Sequence, residues 1–189
     1  MTITEEMLTH TGVGLRVSAG GAFTWSIVHL QFECGAKNWF FENHPPYCPQ
    51  QAPTPSHGAA QHFEHGSMIW TETPDKFYVL FDEGQEFVFA SAPYDFVTPE
   101  PLNATPPSGY YEPVSGFGKI WRGELSALDT VDIRGRLGWA TAPEFAFDTV
   151  QQCDYDGRLW SCYLRVPDGG VLWLHPDSSA QVRFLWERL

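Results

Sequence analysis

At 189 residues the chain is long enough for one sizeable core or two small ones. Acidic residues outnumber basic ones 23 to 11, and a net charge of −12 repels phosphate backbones and anionic lipid, so neither nucleic acid nor membrane insertion is an expected partnership. With 43% hydrophobic and 15% aromatic residues interleaved with 17 Gly and 15 Pro, the composition excludes disorder as the default and favours short strands over long helices.

In chain order, the opening "MTITEEMLTHTG" lacks the charged and apolar regions of a secretory signal. No stretch approaches the roughly 18 apolar residues of a membrane span. "LRVSAGGAFTWSIVHLQF" reads as a hairpin turning at Ala19-Gly20-Gly21, inside an N-terminal sub-unit over 10–44. A proline-rich connection follows over 44–58. Then come "SMIW", "KFYVLFD" and "QEFVFAS", the last two joined by a hairpin at Glu83-Gly84, in a unit over 59–97. A second proline-rich stretch runs over 98–113. Weak helical spacing appears in "GKIWRGELSALDTVDIRGRLGW". The C-terminal unit, 113–189, holds "RLWSCYLRV", "GVLWLHP" and "AQVRFLWERL", with turns at 167–170 and 176–179. The whole reads as one mainly β domain over 1–189. Tandem three-stranded units with few short helices would pack in a propeller-like or sandwich-like way.

The four cysteines fall into two local pairs, Cys34 with Cys48 and Cys153 with Cys162. Without a C-x-x-C they suit a zinc site poorly. Two disulfides, each worth about 3 kcal/mol, are the first reading, and four buried thiols the second. Disulfides imply an oxidising compartment. The absence of a visible leader implies the reverse. The balance favours an extracellular or cell-envelope location, with a cytoplasmic one left open.

An internal repeat emerges when the two halves are overlaid. Gln61 precedes Gly66 as Gln152 precedes Gly157, and Trp70 then matches Trp160. Tyr78 precedes Gly84 as Tyr163 precedes Gly169, with "TETPDKF" as a loop insertion in the first copy.

Catalytic signals are sparse. No G-x-S-x-G is present, and no triad context surrounds "ATAPE" or "PDSSA". "SGFGKIW" lacks P-loop spacing, and "DYDG" lacks the distal Glu of a calcium loop. His57, His62 and His65, with His44 nearby, could serve a metal-dependent enzyme. On an extended strand, however, His62 and His65 point to opposite faces. No cofactor or metal is expected.

"HFEHGSMIW" resembles the core of the LGFP-type repeat, a secreted bacterial wall-associated module, through Phe63, Glu64, Gly66, Ser67 and Trp70. "LGWATAPE" is similar to that family's naming phrase through Leu137, Gly138 and Glu144, with Trp139 and Ala140 in place of Phe and Pro. "GKIWRGE" matches its Ile…Trp segment through Ile120 and Trp121. The resemblance covers roughly 59–90 and 113–175. It implies propeller-like β repeats and a role in attachment to, or organisation of, the cell envelope.

These readings converge on a non-catalytic binding module for glycan or cell-wall polymer. Trp70, Tyr78, Trp139 and Trp160 are the candidate stacking platforms, because exposed aromatic faces stack on sugar rings. Glu64 and Glu144 are the candidate hydrogen-bonding partners or turn anchors. The alternatives are a self-assembling subunit of a surface layer or filament, and the metal-dependent enzyme. They separate by oligomeric state and by metal content.

Overall fold

The computed structural model describes residues 12–19, 22–29, 34–91, 105–124, 128, 130–155, 160–177 and 183–189. Gly157 of the overlay, residues 1–11 and part of the second proline-rich stretch lie outside these. The fold is mainly β, as composition predicts. β1 (Gly12–Ala19) and β2 (Ala22–His29) form a separate two-stranded antiparallel sheet in which Ala19 pairs with Ala22, matching the expected hairpin.

The remaining strands form one eight-stranded antiparallel sheet. β3 (Thr54–Phe63), β4 (Gly66–Thr71), β5 (Lys76–Phe81) and β6 (Phe87–Ser91) make one meander. β7 (Phe145–Tyr155), β8 (Trp160–Arg165), β9 (Val171–Pro176) and β10 (Phe184–Arg188) make the other. The strand order is β10-β9-β8-β7-β3-β4-β5-β6, so the first strand of each meander pairs with the other at the centre. The two outer edges curl toward each other and touch at the Glu86–Leu185 bridge. The result is a nearly closed barrel. At the seam, Glu86 pairs with both Arg136 and Arg183, at 2.9 and 3.2 Å.

Each meander thus has four strands rather than three, and the overlay slips between them. Tyr78 lies on β5, the third strand of its unit, whereas Tyr163 lies on β8, the second. "TETPDKF" is not an insertion: it is the β4–β5 turn and the start of β5. The glutamines do correspond. Gln61 on β3 and Gln152 on β7 both face outward and are buried, at 2% and 1% exposure. Each donates its side-chain amide to the carbonyl of a covering segment, Gln61 to Ala142 and Gln152 to Gln51.

Alternation sorts the side chains into two layers. Ala60, Ile69, Tyr78, Leu80, Phe87, Leu164, Leu172 and Leu174 point into the barrel. "KFYVLF" is apolar on both faces because β5 is buried on both. Its outward Phe77, Val79 and Phe81 meet Phe117, Ile120 and Trp121 of α1 (Ser115–Trp121) and Ile133 and Leu137 of α2 (Ile133–Leu137). These two short helices are the weak helical signal realised. Asp132 caps α2 by accepting from the Gly135 amide at 2.9 Å. The outer face of the second meander is covered instead by residues 34–53. Trp39 from this segment packs on Tyr163 and Val171.

Both cysteine pairs are oxidised, Cys34–Cys48 within the covering segment and Cys153–Cys162 directly across β7 and β8. No described helix is long and apolar enough to cross a membrane.

Candidate functional site

The barrel has two mouths. The first, at the β3–β4 turn, opens on a cavity of about 170 Å³ floored by Ile69, Leu80 and Leu172. Its rim carries His62, Asp82 and the Asp168–Arg188 ion pair. That pair and the Gly170 amide hold the Asp168 carboxyl below its usual range.

The second mouth, at the opposite end, opens on a cavity of about 320 Å³, at the low end of the range for small-ligand pockets. Its wall is aromatic. Phe87 and Phe89 on β6 lie 5.5 and 5.3 Å from Phe184 on β10. Tyr78 enters from β5, and the Cys153–Cys162 disulfide lines the β7–β8 side. Burial pushes the Tyr78 phenol up to about 12, although Gln151 opposes the shift. The Tyr78 hydroxyl donates to Gln151 Oε1 at 3.3 Å and accepts from its Nε2 at 3.1 Å. The Tyr78–Gln151 pair in this wall is therefore self-satisfied. Trp160 stands at the lip, 52% exposed, with Tyr155 5.4 Å away across the strand pair. Lys76 sits at the rim with its ammonium 5.3 Å from the Phe89 ring centre.

The candidates read from sequence separate into distinct places. Tyr78 and Trp160 share the second mouth, though only Trp160 presents an open face. Trp70 lies on the outer face against the first meander's core, its indole N–H donating to Asp75 at 2.7 Å. Trp139 is half-buried 4.9 Å from Trp121, and the Arg134 guanidinium lies over both rings. Glu144 is solvent-exposed, yet partial desolvation raises its carboxyl.

Glu64 acts locally. Its carboxylate accepts from the Trp139 amide at 2.8 Å and from the Tyr110 hydroxyl, which together hold it below the usual range. Around it the two motif phrases dock on each other. The Glu64 and His65 amides donate to the Trp139 and Leu137 carbonyls, and the Thr141 amide donates to His62. The Trp121 indole N–H closes the clamp on the Gly138 carbonyl at 2.7 Å. Gly138, at φ +73°, has room only for hydrogen, because a Cβ would run into the Glu64 carboxylate.

The histidines do not converge. His57 pairs with Asp148 at 2.8 Å on the outside, whereas His62 Nδ1 lies 3.1 Å from Ser67 Oγ. Their odd spacing along β3 sets them on opposite faces. Among the described residues no three His, Cys, Asp or Glu group as a metal site would require.

Lys76, Phe89, Phe184 and Gln151 were not singled out from sequence. The alternation of "KFYVLFD" and "QEFVFAS" carried the signal for the first two, but pairing Phe89 with Phe184 needs the barrel to curl. Comparison with protein-family models, with curated proteins and with solved structures finds no match.

Proposed function

We propose that the protein is a non-catalytic binding module of an extracellular or cell-envelope setting, and that its ligand is a glycan or cell-wall polymer engaged at the second mouth. The observation that carries this reading is Trp160. It is a large aromatic more than half exposed at the lip of an apolar cavity, steadied by Tyr155. A flat apolar ring face with a wet edge suits the C–H face of a sugar. Gln51, Lys76 and the exposed edge of the mouth supply hydrogen-bonding groups for hydroxyls. The two disulfides fit an oxidising setting. The likeness of "HFEHGSMIW" and "LGWATAPE" to the LGFP-type repeat supports the envelope.

The test is co-sedimentation with insoluble bacterial wall polysaccharide. Wild-type protein should pellet with the polymer, and Trp160→Ala should weaken retention at least tenfold while leaving the melting temperature in place. Equal retention of the two proteins would overturn the reading.

A further inference from the structure

We propose that the cavity beneath the second mouth binds a small monoanionic amphiphile, an acyl-chain carboxylate, with its chain among Phe87, Phe184 and Leu174 and its carboxylate on Lys76. This goes beyond the glycan reading, which rests on the lip residue Trp160, and it stands without that reading.

Three observations point to this ligand class. First, the interior is apolar where a chain would lie, among Phe87, Phe184 and Leu174, and the polar pair Tyr78 with Gln151 is already satisfied internally. A ligand that inserted hydroxyls there would leave them without partners, a penalty that selects against sugars in the interior. Second, the volume fits. A cavity of about 320 Å³, filled to the roughly 0.74 density of protein interiors, accommodates a molecule of roughly 240 Å³, such as a chain of about ten carbons.

Third, the rim has a charge to offer. Lys76 is one of only three lysines in a chain of net charge −12. Among the described residues no carboxylate forms an ion pair with it. Its neighbour Asp75 is occupied by the Trp70 indole. The Lys76 ammonium instead rests over Phe89, a cation–π contact that holds the charge at the edge of the apolar wall. A carboxylate entering chain-first would meet this ammonium as its last atoms reach the lip. A neutral or cationic amphiphile would gain only the apolar contacts.

Titration calorimetry with decanoate and with decan-1-ol, on the full chain with disulfides intact, tests the assignment. Decanoate should bind one site per chain about tenfold tighter than decan-1-ol, and that preference should shrink as sodium chloride is raised from low to high concentration. Lys76→Met should weaken decanoate about tenfold and leave decan-1-ol within about twofold, with melting temperature unchanged. Leu174→Trp, which fills the cavity, should abolish both; since it could also disturb the fold, Lys76→Met carries the decision. Equal binding of acid and alcohol by wild type, an unaltered preference in Lys76→Met, or no saturable binding of decanoate would each overturn the proposal. Failure of the glycan reading appears only in the polymer sedimentation and leaves these titrations as they are.

Discussion

The two meanders solve the same problem by different means. Each must cover the outer face of its sheet. The first does so with apolar mass: Phe117, Ile120, Trp121, Ile133 and Leu137 form a continuous core against β4 and β5. The second uses residues 34–53, where Trp39 and Pro49 are buried, Phe40, Phe41 and Tyr47 are half-buried around Trp39, and the backbone is irregular apart from a 3-10 turn at Gly35–Lys37. A cover with a smaller buried cluster must be held by other bonds as well. Here they are the Cys34–Cys48 disulfide, the Gln152 amide donated to Lys37, Asn38 and Gln51 carbonyls, and Asp154 accepting from the Gln50 amide. The lesson is that hydrophobic area and covalent or polar stapling substitute for one another on equivalent surfaces.

The comparison breaks most visibly at Trp121. This side chain is 1% exposed, packs on Trp139 and donates to Gly138. Trp121→Ala should cost about 3–5 kcal/mol in denaturant unfolding. The paired change Cys34→Ser with Cys48→Ser should cost about 3 kcal/mol. Hydrogen exchange should then rise over 34–53 and at Tyr163, with the helical cover of the first meander unaffected. An equal rise over both covers would show that the two are not independent.

Gln152→Ala sharpens the contrast at a smaller scale. It strips three carbonyls of their donor, for about 1–3 kcal/mol, and its effect should collapse in the disulfide-free variant, where the segment it holds is already loose. Both Gln61 and Gln152 also carry a buried Oε1 without a hydrogen-bond partner. Substitution of either by Met, which removes that orphan along with the amide, should therefore cost less than substitution by Ala.

The smallest effect is the pH response of the clamp. Glu64 has a lowered pKa in the folded protein, so its contribution is complete above the carboxyl's unfolded value and is lost as pH falls through the folded one. Glu64→Gln should lower the melting temperature at pH 7, and the gap from wild type should narrow toward pH 3. A gap independent of pH would assign Glu64 a packing role only.

Much of this was legible in the sequence because it is local. Strand-period alternation, the hairpins at Gly20-Gly21 and Glu83-Gly84 (the second closing through a longer 3-10 turn, Glu83–Gln85) and the short cysteine separations each concern residues within about fifteen positions of one another. The overlay found Gln61 and Gln152 because each lies near the end of a first strand. It misplaced Tyr78 and Tyr163 because a turn with flanking apolar residues looks like an insertion when only spacing is compared. Tyr78 and Trp160 were legible as candidates, but the second mouth that joins them was not. It unites β5, β6, β7, β8, β9 and β10, and Phe89 meets Phe184 only through curvature that no one-dimensional pattern encodes. Trp70 and Trp139 show the opposite limit: an aromatic count cannot distinguish a ring that stacks on ligand from one that seals a cover.

The order of strands in the sheet has a kinetic corollary. Every ladder within a meander joins strands that follow each other along the chain, whereas the β3–β7 ladder pairs Ala60 with Phe145 and Thr54 with Gln151 across the whole intervening stretch. Closing that large loop is entropically the costliest step, so the two meanders are expected to form before they zip together. Neither mouth exists until they do. The cavities are therefore products of the last assembly event, and a ligand that filled one of them would bind the zipped state alone and so stabilise it.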